Sequence, residues 1–162
     1  MSWSIPATRP IRRDDELMVR EARAADFDRI LEIEQAAHPT PWARDVFARE
    51  LDLDISHVWG VAKDSPEEIV AFVVFWVVHD EVHVLNVAVD PAFRRTGIAT
   101  SILQHLAEKS REENASFITL EVRHQNRAAI ALYEALGYEI IGRREAYYAD
   151  TGEDALIMSL LI

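Results

Sequence analysis

The chain has 162 residues, enough for one domain with a single substantial core. Its hydrophobic share of 49% and charged share of 28% are ordinary for a globular protein, and it has no cysteine, which excludes disulfides, thiolate metal sites and a cysteine nucleophile. A formal charge of -11 argues against holding nucleic acid across the general surface and favours cationic partners.

Met1 to Leu17 carries Pro6 and Pro10, the arginines Arg9, Arg12 and Arg13, and the acids Asp14, Asp15 and Glu16. It reads as a weakly structured leader, 1–17, ahead of one domain over 18–162. Trp3 and Ile5 either dock on the body or stay disordered. The leader has no apolar h-region, so a cytoplasmic location is expected. Met18 to Ala22 reads as a strand. Asp26 is placed to cap a helix running to Ala37, with Phe27, Ile30, Leu31, Ile33 and Glu34 on one side at helical spacing. His38-Pro39-Thr40-Pro41-Trp42 breaks that helix, and a second follows from Ala43 to Leu51. Two short helices parted by an aromatic-proline loop make a wall for a substrate groove.

His57 to Lys63 reads as a strand and Asp64 to Glu67 as a turn. Glu68 to His79 is a strand whose nearly continuous apolar content argues burial on both faces. Its apolar run, Ile69 to Val78, is too short for a membrane helix, which needs roughly 20 residues, so no membrane association is expected. After Asp80-Glu81, Val82 to Val89 completes three strands in antiparallel hairpins.

Asp90-Pro91 stops that strand, and Arg94, Arg95 and Gly97 precede a helix from Gly97 to Asn114. A strand, a short loop and a helix start with free N–H groups form an anion site. Gly97 lets the backbone approach a ligand closely. The arginines match phosphate, and salt screens the opposing overall charge within about 8–10 Å. Phe117 to Val122 is the next strand. Asn126 caps a helix carrying Ala129, Ile130, Leu132, Tyr133 and Leu136, and Gly137 ends it. Tyr138 to Ile141 and Ala155 to Leu161 are strands around the loop Tyr147 to Asp154. The whole is an α/β layer with a mixed, mostly antiparallel sheet, and Val82–Val89, its following helix and Phe117–Val122 form one βαβ unit with a right-handed crossover.

Several residues carry two readings each. Glu121 sits in an otherwise apolar strand, where a carboxylate ordinarily takes the exposed face. Tyr133 lies on the apolar side of its helix, where a tyrosine is ordinarily core. Asn126 serves as a cap. Trp42, Tyr147 and Tyr148 either pack loops or wall a groove. His38, His57, His79, His83, His105 and His124 have no metal-ligand spacing, and no metal is expected.

The element order, R-x-x-G-x-A at Arg94, Gly97 and Ala99, and N-x-x-A-x-x-L-Y-x-x-x-G-Y over Asn126 to Tyr138 resemble the GNAT N-acetyltransferases. A-H-x-x-P-W at Ala37 to Trp42, N-V-A-V-D-P at Asn86 to Pro91, L-E-V-R at Leu120 to Arg123, and R-x-x-Y-Y at Arg144 followed by E-D-A at Glu153 resemble the family's RimI-type branch. Those enzymes acetylate the N-terminal alanine of a small-subunit ribosomal protein. In this chain the residues between Arg144 and the tyrosine pair are Glu145 and Ala146, where many relatives carry an asparagine at the second position.

The resemblance implies a sheet of about seven strands flanked by about four helices, with acetyl-CoA as co-substrate. Its pantetheine arm would pair with Val87, Ala88 and Val89. Its pyrophosphate would lie beside Arg94 among the N–H groups of Arg95, Thr96, Gly97, Ile98, Ala99 and Thr100, and Asn126 would hydrogen-bond the cofactor. Glu121 becomes the general base and Tyr133 the general acid toward the departing thiolate. Trp42, Tyr147 and Tyr148 become walls of the peptide groove, and the partner it implies is a protein N-terminus, that of a ribosomal protein.

Elementary acid–base chemistry favours such an acceptor. An α-amine titrates near 7.7–8.0 and lysine near 10.4, so roughly a tenth of α-amines are free at neutral pH, against less than about one in a thousand lysines. Acetylation of lysine or of a small polyamine-like amine, and a non-catalytic acyl-CoA-binding module, are the rival readings. The joint presence of Glu121 and Tyr133 argues against the module.

Overall fold

The computed structural model describes Trp3 and residues 9–10, 17–63 and 67–162. One sheet organises them, with strands β1 (Arg9–Pro10), β2 (Leu17–Glu21), β3 (Ser56–Lys63), β4 (Glu68–Val78), β5 (Glu81–Val89), β6 (Phe117–Arg123), β7 (Glu139–Arg144) and β8 (Ala155–Leu161) in the order β1-β2-β3-β4-β5-β6-β8-β7. Neighbours are antiparallel except β5 and β6, which run parallel. The mixed, mostly antiparallel sheet and the seven longer strands match the reading from sequence. The further strand, β1, has two residues and pairs with β2.

Four helices cover the two faces. Helices α1 (Phe27–Ala37) and α2 (Arg44–Asp52) pack on one side, where Ile30, Ile33 and Phe47 meet Phe72, Val74 and Ala88. Helices α3 (Ile98–Glu112) and α4 (Arg127–Ala135) cover the other, where Ile102, Leu103, Leu106 and Tyr133 meet Val84, Leu120 and Val122. Strand β4 is buried on both faces from Ile69 to Phe75, as its apolar run requires. Trp3 is buried, edge-on to Phe75 at 6.0 Å between ring centroids. Ile5, and Asp64 to Pro66 of the expected turn, lie outside the described residues.

Asp26 departs from its expected role. Its side chain makes no cap bond to α1, which is entered through a short 3-10 turn over Ala24–Asp26. Instead it pairs with the Arg20 guanidinium at 2.7 and 3.0 Å and accepts the Arg23 N–H at 2.7 Å. Burial pushes this carboxyl up, but those three donors together hold it below the ordinary carboxylate range. The buried Arg20 guanidinium is held between Asp26 and Glu67, and losing a carboxylate from it would cost more than a missing cap, so the pair takes precedence.

Asn126 does cap α4, its Oδ1 accepting the Ala129 N–H at 3.2 Å. Gly137 ends the helix in a left-handed turn at φ 97°, and the next N–H, of Tyr138, returns to the Tyr133 carbonyl at 3.0 Å.

An added Cβ at Gly137 would meet Leu160 Cδ1 at 3.3 Å in a backbone region that side chains disfavour. Gly137→Ala is therefore expected to lose about 1–2 kcal/mol, lowering the melting temperature by about 2–8 °C. Gly152→Ala has nothing within 4 Å of the new Cβ and should lose less. Thermal denaturation of both variants checks this; a Gly137→Ala protein as stable as the parent would contradict it.

Candidate functional site

The parallel ladder between β5 and β6 is short. It pairs Glu81–Val84 with Phe117–Leu120 and goes no further. A bulge in the β4–β5 pairing falls at Leu85, opposite the step from Val74 to Phe75. Val82 and Val84 before it face α3, whereas Asn86 bonds to α1 and Ala88 packs with α1. The bulge thus turns the strand as it leaves its parallel neighbour.

The Asp90 N–H points back at β4, bonding the Val70 carbonyl at 2.8 Å. Since such groups alternate along a strand, Ala88 also points at β4. Val87 and Val89 then direct their N–H and C=O into the gap. An extended chain laid there can pair like an added strand.

The gap opens into a cleft of about 440 Å³. Val87, Asn126, Glu121, Tyr133, Trp42 and Tyr148 all line it. Glu121 and Tyr133 reach it from opposite faces of the sheet. On β6, Glu121 alternates with Leu120 and Val122, which pack toward α3 and α4, while Tyr133 belongs to that packed side. They share one cavity only because the sheet is open between them. Ala88 turns its side chain to α1 and does not line the cleft, nor does Val89.

Burial raises the Tyr133 hydroxyl to about 12, so it stays protonated across neutral pH. Glu121 Oε1 lies 3.0 Å from Arg144 Nε. Tyr147, half-exposed and outside the cleft lining, hydrogen-bonds Glu121, which raises the Tyr147 hydroxyl. Tyr148 lies under the Arg123 guanidinium at 4.0 Å from the ring centroid, and burial raises its hydroxyl to about 12.

Beyond β5 the loop Arg94 to Gly97 leads into α3. Asp90 anchors its start: its carboxylate accepts the Ala92 N–H at 2.9 Å and pairs with Arg29 of α1. Arg95 at φ 63° and Gly97 at φ 79° both adopt left-handed backbone, which turns successive N–H groups inward as an anion-binding concavity does. The first bond of α3 runs from the Ser101 N–H to the Gly97 carbonyl at 3.0 Å. The amides of Ile98, Ala99 and Thr100 precede it and have no partner within the helix. Arg94 and Arg95 stand exposed beside them. These residues form a cradle separate from the 440 Å³ cleft lining and continue the line of β5.

Two features of the cleft were not read from the sequence. Asp150 of the β7–β8 connection ties its walls, accepting from Thr40 Oγ1 at 2.6 Å and from Arg123 at 2.9 and 3.0 Å. Those bonds, Arg123 foremost, hold the Asp150 carboxyl down near about 2. Glu34, 1% exposed, lies in the wall with His38 and Asn86. The signal for Glu34 was present: a carboxylate at a helical position otherwise facing the core. Asp150 gave none, being 110 residues from Thr40.

Residues 27–138 match the model of the acetyltransferase (GNAT) family. The chain is 34% identical over 145 residues to the putative ribosomal protein bS18-alanine N-acetyltransferase of Bacillus subtilis, covering 89% of this chain and 95% of that one. It is 36% identical over 151 residues to the ribosomal protein bS18-alanine N-acetyltransferase of Escherichia coli K12, covering 89% and 97%. The crystal structure of the ribosomal-protein-S18-alanine N-acetyltransferase from Escherichia coli superposes with a TM-score of 0.83 at 34% identity, over 90% of this chain and 94% of that one.

Gly97→Val puts a β-branched side chain at φ 79° in front of the α3 amides. It is expected to weaken coenzyme A binding by about tenfold or more. Calorimetric titration, with circular dichroism to confirm the fold, reads the change; an unaltered affinity would remove this loop from the ligand site.

Proposed function

This chain belongs to the GNAT acetyltransferase family, and from that premise we propose that it acetylates the α-amine of a protein N-terminus, with acetyl-CoA as donor and an N-terminal alanine of a ribosomal protein as the favoured acceptor. One observation carries the proposal: a carboxylate, a phenol and the unpaired backbone of β5 converge on one cleft where the sheet parts. Sequence similarity to two bS18-alanine N-acetyltransferases at 34% and 36% identity supports the choice of acceptor.

The residues fit acetyl-CoA. Val87 and Val89 offer main-chain pairing to the pantetheine amides, with Ala88 as the spacer between them. Arg94, Arg95 and the N–H groups of Thr96, Gly97, Ile98, Ala99 and Thr100 offer the pyrophosphate an anion cradle. Asn126 lines the cleft at the start of α4, where it can meet the cofactor while capping the helix. Bound there, acetyl-CoA supplies an acetyl group on a good leaving sulfur.

The protein's own groups then act in turn. A backbone N–H at Val89 polarises the thioester carbonyl. Glu121 accepts a proton from the attacking nitrogen, and Arg144 and Tyr147 hold its carboxylate in place. Tyr133 faces the departing sulfur with its proton in place.

A phenol near 12 giving its proton fully to a thiolate near 8.5 would be uphill by about 5 kcal/mol. Tyr133 therefore stabilises the developing thiolate by hydrogen bonding as the C–S bond breaks, and solvent completes the transfer. No acyl-enzyme is required, so the missing cysteine is no obstacle. Trp42 and Tyr148 wall the path of the peptide, with Tyr147 beside it.

A panel of peptides with free N-termini, lysine peptides and small polyamines, assayed for release of CoA thiol, tests the acceptor. Turnover confined to N-terminal amines is expected. Preferred turnover of lysine or polyamine would replace the acceptor, and tight cofactor binding without turnover would replace the activity. Tyr133→Phe should lower kcat by about 10–100-fold while the affinity for CoA stays within about threefold. Because the Tyr133 proton persists to about 12, the parent rate should not fall between about pH 8 and about pH 10 on its account; an alkaline drop lost in Tyr133→Phe would contradict this.

A further inference from the structure

Two protons leave nitrogen between an ammonium and an amide, and the chemistry proposed above gives Glu121 one of them. The wall of the cleft opposite β6 holds groups suited to the other. His38 closes the C-terminal end of α1, lines the cleft and is 37% exposed at its side chain. Behind it lies the carboxylate of Glu34, 1% exposed.

The hydrogen bonds around Glu34 fix the state of the imidazole. Glu34 Oε2 accepts from Asn86 Nδ2 at 2.7 Å and from the Trp42 N–H at 3.2 Å. With its amide nitrogen spent on Glu34, Asn86 presents Oδ1 to His38 Nε2 at 2.9 Å. Glu34 Oε1 lies 3.2 Å from the same nitrogen and accepts no well-formed hydrogen bond. Both oxygens facing Nε2 are acceptors, so Nε2 must carry hydrogen. In the neutral ring Nδ1 is then the bare nitrogen.

We propose that His38 is a second proton acceptor for acetyl transfer, taking the first proton of the incoming α-ammonium on Nδ1, with Glu34 and Asn86 as positioning residues. It rests on the acetyltransferase activity proposed above. The electrons of the broken N–H bond stay on nitrogen, and the resulting imidazolium is stabilised by the buried carboxylate behind it, as in other carboxylate–histidine pairs. The nitrogen lone pair forms the bond to the acetyl carbon, Glu121 takes the second proton, and the C–S electrons leave with sulfur. Tyr133 and solvent protonate the sulfur, and His38 and Glu121 release their protons to solvent. One proton is released overall, as the reaction requires.

The division of labour follows from the partners. Glu121 is already held by Arg144 at 3.0 Å, which suits it to the acidic N–H formed after attack rather than to a free ammonium. An imidazole is closer in basicity to an α-amine than any carboxylate is. The charged and titratable groups facing His38 are Glu34 on its own helix and, across the cleft, Glu121, Arg123, Tyr133, Tyr148 and Glu153; β5 contributes only the neutral Asn86. Arg123 is paired with Asp150 and Glu153, so among the described residues lining the cleft no unpaired cation opposes the imidazolium.

Steady-state kinetics of the full chain with an N-terminal alanyl peptide and saturating acetyl-CoA, from about pH 6 to about pH 9, test the assignment. His38→Ala should lower kcat/KM for the peptide by about 10–100-fold, leave the KM for acetyl-CoA within about threefold, lose the acidic inflection, and recover in part with added imidazole. Glu34→Gln, which removes the carboxylate behind the ring but leaves the imidazole in the cleft, should lose less. A His38→Ala enzyme with the parent profile, or one whose loss extends to CoA affinity and ignores imidazole, would overturn the proposal.

If His38→Ala does not fold, the tautomer of His38 in the parent decides by nitrogen NMR. Hydrogen on Nε2 is expected; hydrogen on Nδ1 in the neutral ring would overturn it. A parent enzyme inactive on every amine would instead sink the acetyltransferase reading, a failure distinct from an active parent that does not need His38.

Discussion

The structure depends on two parallel strands ceasing to pair. β5 and β6 are bonded from Glu81 to Val84 and from Phe117 to Leu120, and then they part. Unpaired backbone in a protein interior is costly, so the parting has to be held open. The bulge at Leu85 begins it, and the bond from Asn86 to the buried carboxylate of Glu34 at 2.7 Å draws β5 toward α1. The free groups of Val87 and Val89 are what a ligand chain can satisfy. The same opening lets Glu121, on one face, and Tyr133, on the other, meet in one cavity.

Electrostatics divide that cavity's surroundings between two ligands of opposite charge. The chain carries a formal charge of -11, which attracts a cationic amine. In the proposed complex the cofactor's anion would be met locally by Arg94, Arg95 and the amides of a helix start, inside the distance at which salt screens the remainder. Within the groove, by contrast, the arginines are spent on structure: Arg123 on Asp150 and Glu153, Arg144 on Glu121. The amine therefore meets carboxylates whose cations are already occupied.

Much of this was legible in the sequence because it rests on short-range periodicity. Alternation and helical spacing placed the longer strands and the four helices within a residue or two, except that β7 runs on to Arg144, three residues past the expected end at Ile141, and Pro39, Pro41, Asp90 and Gly137 marked where elements stop. The turn proposed as the anion loop was legible for the same reason, since Gly97 and the helix start lie side by side.

What escaped is long-range. Asp26 is the local exception: it looked like a helix cap because its neighbours allow it, but the Arg20 guanidinium six residues earlier claims it. Glu34 was read among the residues of an apolar face, and its partner Asn86 lies 52 residues on, so its burial could be seen and its function could not. Asp150 joins two loops that nothing in either loop's pattern connects.

The central claim is that Val87 and Val89 present open backbone to an extended ligand. Residue-resolved amide exchange by NMR, with and without saturating coenzyme A, addresses it directly. Exchange at Val87 and Val89 should slow by about tenfold or more on binding, with Ala88, already turned to β4, little changed. Binding that leaves both amides exchanging at their free rates would contradict the account, because the ligand would then be held somewhere other than the parting of the sheet.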